Sequence, residues 1–197
     1  MTNAAIRPAL RSETQRVLDT MTLAFAGDPS FRWWWRPAGE FMEWFPKFAL
    51  AWGERGFDHD VVQVTKNFEA AAMWLPPGVG PDAEKLAALD RELPGPADED
   101  AEAISEELRV AMESYHPTAP HWYLWLLGVD PRCQGKGHGS ALLKHMLARI
   151  DAEHATAYLE SSTPKNIPLY ERHGFEVIGR IQIRDLPPIT PMLRKAR

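Results

Sequence analysis

The sequence predicts an α/β (α+β) domain. Its mixed central sheet has about seven strands flanked by helices, with an acidic helical insertion before the central strand. Three observations carry this reading. Short strand-like runs alternate with stretches of helical periodicity. The run from Trp122 to Val129 is apolar on both faces, as suits a strand in the middle of its sheet. Residues 82–113 hold eleven acidic and three basic residues, a texture unlike the rest of the chain.

The elements follow in order. Ala5 to Ala9 reads as a short strand. Ser12 is a good N-cap for a helix with Val17, Leu18, Met21, Leu23, Ala24 and Phe25 on its apolar stripe, stopped by Gly27-Asp28-Pro29. Phe31 to Pro37 reads as a loop or short turn dense in indoles. Glu40 to Glu54 is a second helix, with Phe41, Trp44, Phe45, Phe48 and Trp52 on one face. Asp60–Thr65 and Glu69–Leu75 pair around Lys66-Asn67, and Pro76-Pro77-Gly78 ends the pair.

Residues 82–113 read as two acidic amphipathic helices separated by Pro94-Gly95-Pro96. Their role is a solvated cover over the core or, alternatively, a substrate lid. The central strand His121–Val129 leads through a glycine-rich loop into a helix from Ser140 to His154. A strand follows over Thr156–Ser161, then a short helix over Lys165–His173 closed by Gly174. Phe175–Ile183 and Thr190–Lys195 are the last two strands.

A chain of 197 residues with 45% apolar content fits one domain, spanning 1–197. Its net charge of −5 gives no basic footprint for nucleic acid. The single cysteine, Cys133, allows no internal disulfide. The first twenty residues lack an apolar segment of signal-peptide type, and no run approaches the roughly 20 residues of a membrane helix. The expectations are a cytoplasmic address, no membrane, no nucleic acid and no metal.

Chemistry concentrates in the loop Gln134-Gly135-Lys136-Gly137-His138-Gly139-Ser140, which joins the central strand to a helix. Its alternating glycines let backbone approach a ligand, and the N–H groups opening the helix favour an anion, most often phosphate. Lys136 adds a point charge. A Walker A loop would need glycine at Asp130 and a hydroxyl residue at Gly137, so that pattern fails. A dinucleotide fingerprint would need its third glycine at Ser140.

These residues resemble the GNAT superfamily of acyl-CoA N-acyltransferases. Gln134-x-x-Gly137-x-Gly139 follows Val129-Asp130-Pro131, and Asn166 precedes Leu169-Tyr170-Glu171-Arg172-His173-Gly174-Phe175. The resemblance covers about residues 120–195, the acetyl-CoA-binding core; the insertion 82–113 stands outside it. Within the superfamily, Leu159–Tyr170 and Ala24–Pro29 look most like the puromycin N-acetyltransferase type. The resemblance implies that the central strand and the next splay apart to admit the pantetheine arm. Leu127 and Val129 would pair with that arm, Gln134 to Ser140 would hold the pyrophosphate, and Asn166 would contact the cofactor or cap the short helix. Tyr170 would be the acid that protonates the departing thiolate, its alternative being a packed core tyrosine.

The central strand offers no carboxylate, so Glu160 is the best candidate base, sharing a face with Tyr158 and Ser162. His121 and a water chain compete with it. His138 and His173 read as exposed fillers. For the acceptor, Trp33, Trp34 and Trp35 cannot all face one core, so at least one lines a cleft or partner surface. The expectation is an acetyl-CoA-dependent N-acetyltransferase, monomeric or homodimeric, acting on a small-molecule amine. The alternatives are a protein or peptide acceptor, and a non-catalytic acyl-CoA-binding module or sensor.

Overall fold

A computed structural model describes residues 5–93 and 99–197. The Pro94-Gly95-Pro96 separator lies outside the described residues. Seven strands form one sheet in the order β1-β2-β3-β4-β5-β7-β6. They are β1 (Ile6–Pro8), β2 (Val62–Thr65), β3 (Ala70–Leu75), β4 (Trp122–Val129), β5 (Ala157–Ser161), β6 (Glu176–Val177) and β7 (Thr190–Arg194). Neighbours are antiparallel except β4 and β5, which are parallel. The expected mixed seven-stranded sheet is present, with β4 at its centre.

The helices sort onto two faces. On one lie α1 (Thr14–Phe25), α2 (Pro29–Trp34) and α3 (Ala38–Gly53), whose Val17, Met21, Phe41, Phe45 and Ala49 pack with Val62, Val64, Ala71 and Leu126. On the other lies α6 (His138–Ala152), whose Leu142, Leu143, Met146 and Ile150 pack with Trp74, Trp122, Leu124 and Leu159. The remaining helices are α4 (Ala83–Glu92), α5 (Glu99–Tyr115) and α7 (Ile167–Arg172). The acidic segment is helical on both sides of the undescribed stretch. Asp82 caps α4 by accepting from the Glu84 and Lys85 amides.

Three sequence expectations need correction. The aromatic stretch from Phe31 does not open as a loop: α2 runs through it. Asp28 accepts from the Ser30 and Phe31 amides at 3.0 and 3.2 Å, and Pro29 sits in the first turn. Asp28-Pro29 is therefore a start signal as well as a stop. The strand expected over Phe175–Ile183 pairs regularly only at Glu176–Val177, with a separate bridge between Ile181 and Ile189. Its partner segment contains Pro187, Pro188 and Pro191, which have no N–H to donate, so a continuous ladder cannot form. Helix α6 also begins at His138, two residues before the expected start.

Position Trp125 carries a bulge. Met73 pairs with Leu126 and Trp74 with Leu124, leaving Trp125 without a partner on β3. Trp125 and Leu126 consequently both turn to the α1–α3 face. Trp125 stacks on Trp52 at 5.0 Å and donates from its indole to the Ala49 carbonyl at 3.2 Å. Three residues on, a Cβ at Gly128 would stand 2.7 Å from the Met21 sulfur, so glycine is what lets α1 lie close against β4.

Candidate active site

The parallel seam is short. Trp122 pairs with Ala157 and Tyr123 with Tyr158, and there the pairing ends, although β4 continues six residues to Val129. Beyond Tyr123 the two strands diverge, and Trp125, Leu127 and Val129 are only partly buried. The splay expected from the family resemblance is thus present in the strand pairing.

At the far end of β4 the glycine loop turns into α6. Gly135 and Gly137 take φ of 74° and 87°, the left-handed region that favours glycine. Gly137 is the N-cap of α6, and its carbonyl accepts the first helical bond, from Ala141. The amides of His138, Gly139 and Ser140 therefore precede the helix's first closed turn and remain available to an anion. A Cβ at Gly139 would touch Val129, Leu169 and Leu127 at 3.5–3.8 Å, so the helix start sits against the open edge of β4. Lys136 donates to the Arg132 carbonyl and Gln134 to the Val129 carbonyl. Asp130 is paired with Arg132, which holds its carboxyl down at about 2. These features fit a pyrophosphate-bearing ligand: paired positive-φ glycines, free helix-opening amides and an unpaired strand edge beside them.

His138 is buried at 8% exposure, with Nδ1 lacking a hydrogen-bond partner, and His173 is half-buried with Nε2 2.8 Å from the Ser140 hydroxyl. Neither is the exposed filler that the sequence suggested. His138 opens α6, and His173 follows α7, where its ring meets the Ser140 hydroxyl of α6. Asn166 precedes α7 but makes no side-chain cap bond to it.

Tyr170 is buried, packs edge-on to Phe175 at 6.0 Å, and belongs to the core on the α6 face. Burial, and secondarily the Asp28 carboxylate, push its phenol well above the ordinary range. Asp28 is the N-cap of α2. Asp28 also accepts a 2.5 Å bond from the Ser162 hydroxyl, and its carboxyl is pushed up by burial against the pull of these bonds. Sequence reading missed both Asp28 and Ser162; the Asp-Pro pair before the aromatic run was the available signal.

Glu160 lies on β5 beyond the seam. Its side chain is 7% exposed, and Oε1 is buried without a hydrogen-bond partner, 3.8 Å from His116 Nδ1. Tyr158 and Tyr123 are neighbours; burial first, and then the Glu160 charge, raise both phenols. Neither phenol satisfies hydrogen-bond geometry to Oε1, and the Tyr158 hydroxyl is itself unpartnered.

The three indoles separate. Trp35 is buried between Phe31 and Phe48. Trp33 and Trp34 are partly exposed, meet edge-on at 4.9 Å, and Trp33 donates to Asp185 at 3.2 Å. Among the described residues no cluster of three His, Cys, Asp or Glu could hold a metal ion, and no helix is long and apolar enough to cross a membrane.

Residues 97–177 match the family described as an acetyltransferase (GNAT) domain. An uncharacterized N-acetyltransferase of Schizosaccharomyces pombe is 43% identical over 54 residues, 27% of this chain and 22% of that protein. The mycothiol acetyltransferase of Propionibacterium freudenreichii is 38% identical over 64 residues, 30% of this chain and 20% of that protein. The matched segment thus spans about a fifth of either relative. Peptidyl-lysine N-acetyltransferase YjaB of Salmonella typhimurium is 27% identical over 131 residues, 57% of this chain and 89% of that protein. Among solved structures, a Corynebacterium glutamicum protein described as histone acetyltransferase HPA2 and related acetyltransferase superposes with a TM-score of 0.64 at 24% identity, covering 98% of this chain and 97% of that one. The Drosophila melanogaster polyamine N-acetyltransferase gives 0.68 at 13% identity, covering 98% of this chain and all of that one. A GNAT domain is therefore supported over residues 97–177, and the seven-stranded sheet has the GNAT fold throughout.

Proposed function

We propose that this protein is an acetyl-CoA-dependent N-acetyltransferase that acetylates a primary amine of a small molecule by direct transfer. The observation that carries the reading is the β4–β5 seam. It ends at Tyr123–Tyr158, opens past Glu160, and has the glycine loop and the start of α6 at its far mouth.

Bound acetyl-CoA would supply the activated acyl carbon. The amides of Gly135 to Ser140 would hold its pyrophosphate, and the open edge of β4 at Leu127 and Val129 would align its amide-bearing arm. Glu160 would accept the proton that the amine must lose. Tyr170, kept protonated by burial and by the Asp28 charge, would donate to the departing sulfur. Burial disfavours the phenolate, so the proton stays on Tyr170 until the departing thiolate needs it.

Trp33 and Trp34, half-exposed beside the Asp28 cap, favour an apolar or aromatic acceptor. The Asp28–Ser162 bond joins the two segments that resemble the puromycin N-acetyltransferase type, which supports that type within the superfamily. A protein or peptide amine is the second reading, favoured by the similarity to a peptidyl-lysine acetyltransferase over 131 residues. A binding module without turnover would have no use for an acid and a base flanking the same gap. The experiment is a thiol-release screen with acetyl-CoA against aryl, aminoacyl, polyamine and lysyl-peptide amines. Release with a small aromatic or aminoacyl amine supports the proposal. Preference for spermidine or lysyl peptide replaces the acceptor class, and binding of acetyl-CoA without release for any amine overturns it.

A further inference from the structure

We propose that His116, the first residue after the acidic helix α5, is a proton relay that carries protons from Glu160 to solvent, and that His121 is the positioning residue that fixes its ring. The inference rests on Glu160 being the base, and adds the route by which that base is cleared.

Geometry assigns the protons. His121 Nδ1 lies 2.8 Å from the Ala119 carbonyl, which can only accept, so Nδ1 carries hydrogen. Burial favours the neutral His121 ring, whose Nε2 is then a lone pair. That lone pair faces His116 Nε2 at 3.1 Å, so His116 Nε2 must donate. His116 Nδ1 is left pointing at Glu160 Oε1, 3.8 Å away. At 3.8 Å the two atoms are beyond hydrogen-bond distance, so a proton passes between them when the ring closes on the carboxylate or through one intervening water. The cluster thus has two facing acceptor atoms, the buried Oε1 and His116 Nδ1, either of which can take one proton.

The surroundings suit a relay. Glu160 is 7% exposed and its Oε1 has no other partner, whereas the His116 side chain is 40% exposed. The groups facing the ring are Glu160 and Tyr158 from β5, and His121 and Tyr123 from β4 and its approach. Tyr115 of α5 acts on Tyr158.

The reaction needs such an exit. An acceptor bound as an ammonium loses one proton before its nitrogen can attack. It loses a second on becoming an amide, which balances the proton Tyr170 gives to the sulfur. One proton per turnover must reach solvent. Glu160 takes it from nitrogen, His116 Nδ1 takes it from Oε1, and water at the half-exposed ring removes it.

Two readouts test this with the full chain. The first needs no turnover. Nitrogen-15 spectra of the imidazoles are expected to show His121 as the Nδ1–H tautomer and His116 protonated at Nε2, with an N–H···N coupling between the rings that disappears in His121→Asn. A His121 ring protonated at Nε2, or absence of the coupling, overturns the relay geometry. The second uses tyramine as the probe amine. His116→Ala is expected to lower kcat about ten- to a hundredfold, with KM for acetyl-CoA within about twofold of wild type, and millimolar imidazole should restore part of the loss. His116→Gln, which keeps the bulk, should lose as much. An unchanged kcat in either variant, or a loss that imidazole leaves untouched, overturns the relay. If the wild-type protein acetylates no amine, the acetyltransferase reading fails and the ring spectra alone decide the proton assignment.

Discussion

The Ser162 hydroxyl donates to the Asp28 carboxylate at 2.5 Å, tying the end of β5 to the start of α2 across 134 positions of chain. One carboxylate oxygen caps the helix and the other takes the serine, so Asp28 is committed on both sides. Asp28→Ala removes the cap and is expected to lower stability by about 1–2 kcal/mol. Asp28→Asn, still a good cap, should cost less than half of that. Chemical denaturation of both variants checks this, and equal losses would show that the charge rather than the cap is what matters.

Tyr170→Phe leaves the core packing of the ring on Phe175 in place and removes only the donor. Turnover is expected to fall by about 10²–10³-fold while acetyl-CoA affinity, read by calorimetry, stays within about twofold. A matching loss in affinity would assign the hydroxyl to binding instead.

Gly137 caps α6 at a φ of 87°. Gly137→Ala forces a side chain into the left-handed region, at a cost of about 1–2 kcal/mol. It should also move the amides that precede the first helical bond. The expected result is at least a tenfold weaker acetyl-CoA affinity together with a lower Tm. An affinity left intact in a destabilised variant would remove the loop from the binding site.

Glu69 closes the β2–β3 hairpin, accepting from the Thr65 hydroxyl and from the backbone and side chain of Asn67, which hold its carboxyl down to about 2. A depressed carboxyl stabilises the fold fully above its unfolded value, near 4.5, and loses that contribution as pH falls through about 2. Solvent screens this partly exposed group, so the contribution is about 1 kcal/mol. Glu69→Ala should therefore be less stable than wild type at pH 7, with the gap closing between pH 4.5 and 2 in urea titrations. A gap that persists at pH 2 would assign the loss to packing.

What could be read in the sequence followed local rules. The apolar run from Trp122 announced the central strand because both its faces are buried, and Gly174 announced its helix end because only glycine takes that dihedral without strain. The part of the site built from consecutive residues, the loop from Gln134 to Ser140, was legible for the same reason. Contacts between distant segments left no local trace. The Trp125 bulge depends on the register of β3, the Asp28–Ser162 bond on how α2 meets β5, and the His116–Glu160 approach on where α5 ends. The trimmed strand after Phe175 was readable in principle, since three prolines in its partner forbid a ladder, but pairing partners are themselves a tertiary fact.

The two-residue seam between β4 and β5 has a thermodynamic corollary. Main-chain groups of β4 past Tyr123 have no strand to meet on the β5 side, so the sheet is two half-sheets that share a short border. A ligand with amide groups along its length would complete that border as a surrogate strand, and its binding energy would then count toward holding the halves together. At a hundredfold excess over its Kd it would add about 2.7 kcal/mol to unfolding stability. Cosubstrate supply would in that way set how long the folded chain survives as well as how fast it turns over.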